Sequence, residues 1–298
     1  PMSAHKGNMR VHARACTHFA PSGLRRALPG FPRRNNRRHT SHTPSWVACA
    51  WGDPVDFHAA SIASSSECAK GLTEVAVDAP TDIVDGFCAS GQYVQMKVNP
   101  EDEKVAYLAI ASAPASSPLK FVIKPGDNTA GEICALNAGD SVQISAAMGK
   151  GFQPEETAKA AKDLIFVCTG TGAAPVASLI DSSLPSKPYG VSGKVTVYFG
   201  AASPEAMPFV DRFESWKANG IDVVCAFSQA DSGTAPAGAS RALWSSRVQA
   251  ALGEDEENVD TSPGATAVVL CGQREMSDDV KAQWSAWGGA DDVFLSNF

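Results

Sequence analysis

Residues 164–180 read LIFVCTGTGAAPVASLI. An apolar run ends at a turn built on Gly170 and Gly172, and a helix-like segment follows with Pro175 near its start. Glycines let a backbone come close to a pyrophosphate, and the N–H groups and positive end of the next helix can hold it. Thr169 and Thr171 add hydroxyl donors, and Pro175 suits a first helical turn, where no N–H is needed. The run departs from the dinucleotide fingerprint G-x-G-x-x-G, because Pro175 stands at the third glycine. TGTGAAP also works as a tight strand–helix turn with no ligand, and the motif alone does not choose between the two.

Downstream and upstream of this stretch the rhythm differs. DLIFVCT (163–169), KVTVYFG (194–200), IDVVCAFS (221–228), ATAVVLCG (265–272) and DDVFLSNF (291–298) read as five strands. Helices are expected between them over 173–182, 204–219, 239–252 and 275–286, which makes a parallel doubly wound sheet. Ligands of such sheets sit beyond the C-terminal strand ends. TGTG, FGA with Gly200, FSQ with Ser228 and LCG with Cys271 and Gly272 all lie at those ends.

Between 71 and 150, LTEVAVDA, YVQMKV, AYLAIAS, LKFVIK and SVQISAA alternate with turn residues and predict an antiparallel barrel or sandwich. NTAGEICALNAGD interrupts them as one short helix, and the Ser-rich SIASSSE (61–67) reads as a loop. The expected division is a leader over 1–44, a barrel over 45–152 and a nucleotide-binding α/β domain over 153–298.

Charge separates the leader from the body. Nine of the 25 Lys and Arg residues, and none of the 32 Asp and Glu, lie in residues 1–44, which leaves 16 basic against 32 acidic residues in the rest. An acid-free, Arg-rich leader predicts an organelle transit peptide. The alternative is a basic arm that grips an anionic surface or a protein partner. The acidic body would repel a phosphate backbone, so nucleic acid is not an expected partner. GEDEENVD (253–260) reads as a solvated acidic loop. No run of about 18 apolar residues occurs, so no membrane-spanning helix is expected. The eight cysteines form no Cys-x-x-Cys pair, so no zinc or iron–sulfur site is expected, and scattered thiols suit a reducing compartment.

Residues 68–298 resemble ferredoxin–NADP reductases through YLAIASAP (107–114), AGDSVQISAAMGKGF (138–152), TGTGAAP, YFGAASPEAMPFVDRF (198–213), VVLCGQREM (268–276) and the terminal NF. Within that superfamily the motifs look most like the plant "fruit protein" branch of reductase-like plastid proteins, which implies a chloroplast location, with the mitochondrion as the alternative. The resemblance implies a six-stranded FAD-binding barrel, NAD(P)H on the α/β domain, and hydride transfer between them. It assigns Gly170, Thr171, Gly172 and Pro175 to the pyrophosphate, and Cys271 and Gly272 to the nicotinamide border. It assigns Phe298 to the flavin ring, and it places Ala109, Ile110, Ala111, Ser112 and Gly149 in the flavin motifs.

Departures from the pattern are concentrated on the flavin side. Ala106 stands where the family carries the arginine that pairs with the flavin pyrophosphate, Leu108 where it carries an aromatic, and Ala109 where it carries a hydroxyl. Alternation puts Tyr107 on the face opposite to Ala106 and Leu108. Ala202 and Gln229 replace arginines that hold a 2′-phosphate, with Arg241 and Arg247 as candidate substitutes. Ser296 replaces a glutamate that relays protons. The reading is a flavin-dependent NAD(P)H oxidoreductase of undetermined acceptor; an acidic body does not suit an acidic ferredoxin. The alternative is a reductase-fold protein without flavin, acting as a subunit or regulator of a larger organellar complex.

Overall fold

The structure, a computed structural model, describes residues 55–153 and 160–296. The leader and Phe298 lie outside the described residues, as does most of the junction between the two expected domains.

The N-terminal half is a six-stranded antiparallel sheet: β1 (Phe57–Ala69), β2 (Leu72–Asp78), β3 (Tyr93–Lys97), β4 (Ala106–Ala109), β5 (Leu119–Ile123) and β6 (Ser141–Ser145), in the order β4-β3-β6-β1-β2-β5. Just beyond β4, the N–H of Ala111 donates to the Lys120 carbonyl on β5 at 2.7 Å, so the two sheet edges meet. Two short helices, α1 (Thr81–Gly86) and α2 (Thr129–Cys134), lie in the connections. Asn128 caps α2 by accepting from the Gly131 N–H. Alternate residues such as Val75, Val77, Val94, Met96, Phe121 and Ile144 fill the interior.

SIASSSE is strand, not loop. Its N-terminal flank pairs with β6 from Phe57 to Ser61, and the rest pairs with β2 from Ser61 to Ala69. Ala60 and Ile62 turn inward and outweigh the weak strand preference of serine.

The C-terminal half is a parallel sheet of six strands, one more than the sequence pattern suggests: β7 (Asp163–Thr169), β8 (Val195–Ala201), β9 (Ile221–Phe227), β10 (Arg241–Trp244), β11 (Thr266–Cys271) and β12 (Phe294–Ser296). The order is β10-β9-β8-β7-β11-β12. The chain builds outward from β7 to β10, then returns to the other side of β7, so the order reverses between β7 and β11. That reversal is the crevice in which doubly wound sheets bind ligands.

Helices α3 (Ala173–Ser183), α4 (Phe213–Ala218), α5 (Val248–Gly253) and α6 (Arg274–Ala286) cover the two faces. Two expected helices are shorter than the pattern suggests. Over 204–219 only α4 is α-helical, because Pro208 supplies no N–H and Phe209 takes φ 65°. Over 239–252 the first part is β10, held by Trp244 packing on Phe227 at 4.9 Å between ring centroids. Arg241 of β10 forms an ion pair with Asp255 at 2.9 Å.

The halves share a core. Ala69, Leu72, Ala111, Val122 and Phe152 of the barrel side join the cluster built on β7, β8, β9 and α3. Polar bonds fix the same junction. Buried Ser178 on α3 donates to the Ser112 carbonyl at 2.6 Å and accepts from the Ser90 hydroxyl at 2.9 Å. Tyr189 donates to the Phe152 carbonyl at 2.7 Å, and the Lys70 N–H donates to the Glu205 carbonyl at 2.7 Å. No helix among the described residues is long and apolar enough to cross a membrane.

Candidate functional site

β7 ends at Thr169, Gly170–Gly172 form a single 3-10 turn, and α3 starts at Ala173 with no side-chain cap. The glycines have distinct tasks. Gly170 takes φ 53°, and nothing lies within 4 Å of where its Cβ would stand, so the turn is open on that side. A Cβ on Gly172 would lie 2.5 Å from the Cys271 carbonyl oxygen. Only glycine therefore lets α3 begin this close to β11. Gly272 takes φ 148°, and a Cβ there would reach 2.3 Å from the Thr169 hydroxyl. Thr169 Oγ1 in turn accepts from the Gln273 N–H at 3.4 Å.

This turn opens into a cavity of about 1250 Å³, larger than the ~300–1,000 Å³ of common single-ligand clefts. Thr169, Gly170, Thr171, Gly172, Gly200, Ser228, Cys271 and Gly272 line it from the α/β half, and Ala109 lines it from the barrel. These predicted residues are thus brought together. Cys271 is nearly buried and sits opposite Cys168 in the β11–β7 register. Burial pushes the Cys168 thiol well above its ordinary range, and the Cys225 thiol to about 12.

Other predicted residues stand behind the wall. Ile110 is in the barrel core and Ala111 in the inter-domain core. Ser112 is spent on Ser178 and on the Lys120 N–H. Pro175 is buried in the first turn of α3. Gly149 takes φ 83° and lies against the Tyr93 ring, 3.1 Å from where its Cβ would be. Arg241 is held by Asp255, which also accepts from the Tyr198 hydroxyl at 2.8 Å, so it is not a spare cation at the site. Phe298 lies outside the described residues.

Part of the barrel wall is built from β3 and β4. Ala106 and Leu108 pair with Met96 and Val94 and pack in the barrel core. Tyr107 is 57 % exposed and lines the cavity beside Tyr93, with ring centroids 6.1 Å apart. Leu108 and Ala109 line the same cavity, so Tyr107 and these two strand neighbours reach the cavity wall, whereas Ala106 does not. Lys70 and Lys124 line the same side. Tyr93, Tyr107 and the two lysines are not singled out by motif, although the period-2 alternation of Ala106, Leu108 and Ile110 already points Tyr107 outward.

A pyrophosphate fits the open turn at Gly170, and the two tyrosines, their rings tilted by 47°, offer aromatic surface in a cavity that Lys70 and Lys124 also line. The residues present therefore suit a nicotinamide dinucleotide, and suit FAD through Tyr107 rather than through the expected arginine. Among the described residues, no group of three His, Cys, Asp or Glu side chains is placed to hold a metal ion.

Comparisons with known proteins agree with this architecture. Residues 166–282 match the family model for the oxidoreductase NAD-binding domain. Fruit protein pKIWI502 of Actinidia deliciosa is 30% identical over 175 residues, a match spanning 54% of this chain and 54% of that protein. The Neisseria gonorrhoeae ferredoxin NADP+ reductase with bound FAD and NADP superposes with TM-score 0.65 at 19% identity, covering 82% of this chain and all of that one. Ferredoxin-NADP+ reductase from Plasmodium falciparum gives TM-score 0.62 at 16% identity, over 80% and 95% of the two chains. At such identities the two structures speak for the fold alone. Residues 166–282 are thus an oxidoreductase NAD-binding domain, and the two halves together have the two-domain fold of ferredoxin–NADP reductases.

Proposed function

We propose that this chain is a flavin-dependent NAD(P)H oxidoreductase, moving hydride between a nicotinamide on the α/β half and FAD on the barrel. One observation carries the reading. The Gly170–Gly172 turn, the Cys271–Gly272 strand end and the Tyr93–Tyr107 pair all face one cavity. When bound, the two cofactors supply the hydride chemistry, and the protein supplies position and field.

Each residue's part follows from its place. The N-terminal end of α3 and the open side of Gly170 hold the pyrophosphate. Gly272 keeps the end of β11 low, so that Cys271 forms the floor between the two halves. Tyr93 and Tyr107 offer aromatic surface for a ring to pack on, and Lys70 and Lys124 the positive charge on the barrel side. The Ser178 junction keeps the two halves from hinging, which preserves the reacting geometry.

A second reading, a flavin-free subunit or regulator, is favoured by one fact: Ala106 is packed in the barrel core and does not line the cavity, and Leu108 and Ala109, which do, offer it only apolar surface. The acid-free leader supports a chloroplast location, or a mitochondrial one, and equally suits a protein partner. Purifying the full chain and recording its visible spectrum separates the two functions. Flavin absorbance, native or after adding FAD, is expected; a colourless protein with excess FAD would leave the second reading.

A further inference from the structure

We propose that the dinucleotide this site takes is unphosphorylated, NAD(H) rather than NADP(H). The inference rests on the nucleotide-binding reading above and names its substrate more narrowly. A dinucleotide on the β7 turn crosses the switch point, so its ends lie over opposite halves of the sheet. Cys271 and the barrel tyrosines line the same cavity, and the nicotinamide is placed on that side. The adenosine end then falls over β8, β9 and β10.

Apart from Arg247, what lines that end is neutral or anionic. Ala201 and Ala202 close β8, and Ser228 and Gln229 close β9. Ser245 lines the cavity and donates its hydroxyl to the Asp231 carboxylate, placing a negative charge on the rim. Among the described residues, Arg247 is the one cation lining the cavity from the α/β half. It is paired with Glu275, another lining residue, at 3.5 Å. Arg241 is held by Asp255 and the Ala251 carbonyl. Lys70, from the barrel, is close enough to Glu205 for their charges to interact.

A 2′-phosphate is a dianion that needs a fork of donors or an uncommitted cation. Here it would meet the Glu275 carboxylate paired with the Arg247 guanidinium, and the Asp231 carboxylate behind Ser245. A ribose 2′-hydroxyl has no such conflict, and Ser228, Gln229 and Ser246 offer it neutral hydrogen-bonding groups. Glu275 is thus the specificity residue: it withholds Arg247 from a phosphate.

The test is titration of the full chain with NADH and with NADPH, read by the fluorescence of the reduced nicotinamide, for wild type and Glu275→Gln. Glu275 is exposed, so the substitution leaves folding intact. NADH is expected to bind about tenfold or more tightly than NADPH, with the gap narrowing in salt. Glu275→Gln is expected to narrow the ratio about threefold or more by releasing Arg247. Wild-type NADPH binding equal to or tighter than NADH, or a ratio unmoved by Glu275→Gln, would overturn the inference while leaving the nucleotide site standing. Binding of neither would overturn the nucleotide reading itself.

Discussion

Gly172 and Cys271 are packed backbone to backbone: a side-chain carbon at 172 would stand 2.5 Å from the Cys271 carbonyl oxygen. The phosphate turn and the floor of the cavity are therefore one mechanical unit. Gly172→Ala must push α3 away from β11, at a cost of about 1–3 kcal/mol. Denaturant unfolding should show the loss, and NADH affinity should fall with it. Gly170→Ala should behave differently. Its methyl meets no protein atom, so stability falls only by the left-handed backbone cost of about 1 kcal/mol. It does, however, occupy the open side where a phosphate would approach, so NADH affinity should fall further than stability does.

The barrel wall supports a paired test. Leu108 is in the barrel core, and Leu108→Ala should cost about 2–5 kcal/mol of unfolding free energy. Tyr107 is exposed, and Tyr107→Ala should cost little stability while weakening FAD binding, measured by flavin fluorescence. The reverse pattern would return the ligand to the Leu108 face.

Ala106→Arg is a further check on the same face. From the family pattern, an arginine at 106 restores a phosphate contact and with it flavin colour. From the structure, the side chain points among Met96 and its neighbours, where an unpaired guanidinium is costly. The variant should be poorly folded and no yellower than wild type, by circular dichroism and visible absorbance.

Ser178 ties the halves together with no exposure to solvent. Ser178→Ala leaves the Ser112 carbonyl and the Ser90 hydroxyl without this partner, at a cost of about 1–3 kcal/mol. Unfolding followed by separate probes in the barrel and the α/β half should come closer to losing coincidence in this variant, because one of the bonds that couple them is gone while Tyr189, Lys70 and the shared core remain.

Alkaline stability follows from the buried thiols. Burial raises the Cys225 thiol from 9.0 to about 12, so folded protein holds that proton where unfolded protein releases it. The stabilisation is complete below pH 9 and is lost as pH rises from 9 to about 12. Cys225→Ala should flatten the fall in Tm across that window.

The β7–turn–α3 unit is legible from sequence because apolar run, glycines and proline all agree locally. β1 is not, since SIASSSE has loop composition and becomes strand only through two partners that flank it. β10 is hidden for a similar reason: its four residues carry a helical pattern, and only Phe227, distant in sequence, draws Trp244 into the sheet. Within the candidate site, the glycines announce themselves by backbone geometry. Tyr107 is readable from alternation, yet motif matching puts the ligand on the Ala106–Leu108 face. Lys70 and Lys124 carry no local signal and meet at the cavity only through the closed barrel.

The most direct test of the account is anaerobic addition of NADH to the full chain reconstituted with FAD, followed by visible absorbance. The account predicts that the flavin band bleaches on mixing and that Gly170→Ala slows it. A chain that retains no flavin, or whose bound flavin keeps its colour in excess NADH, would contradict it.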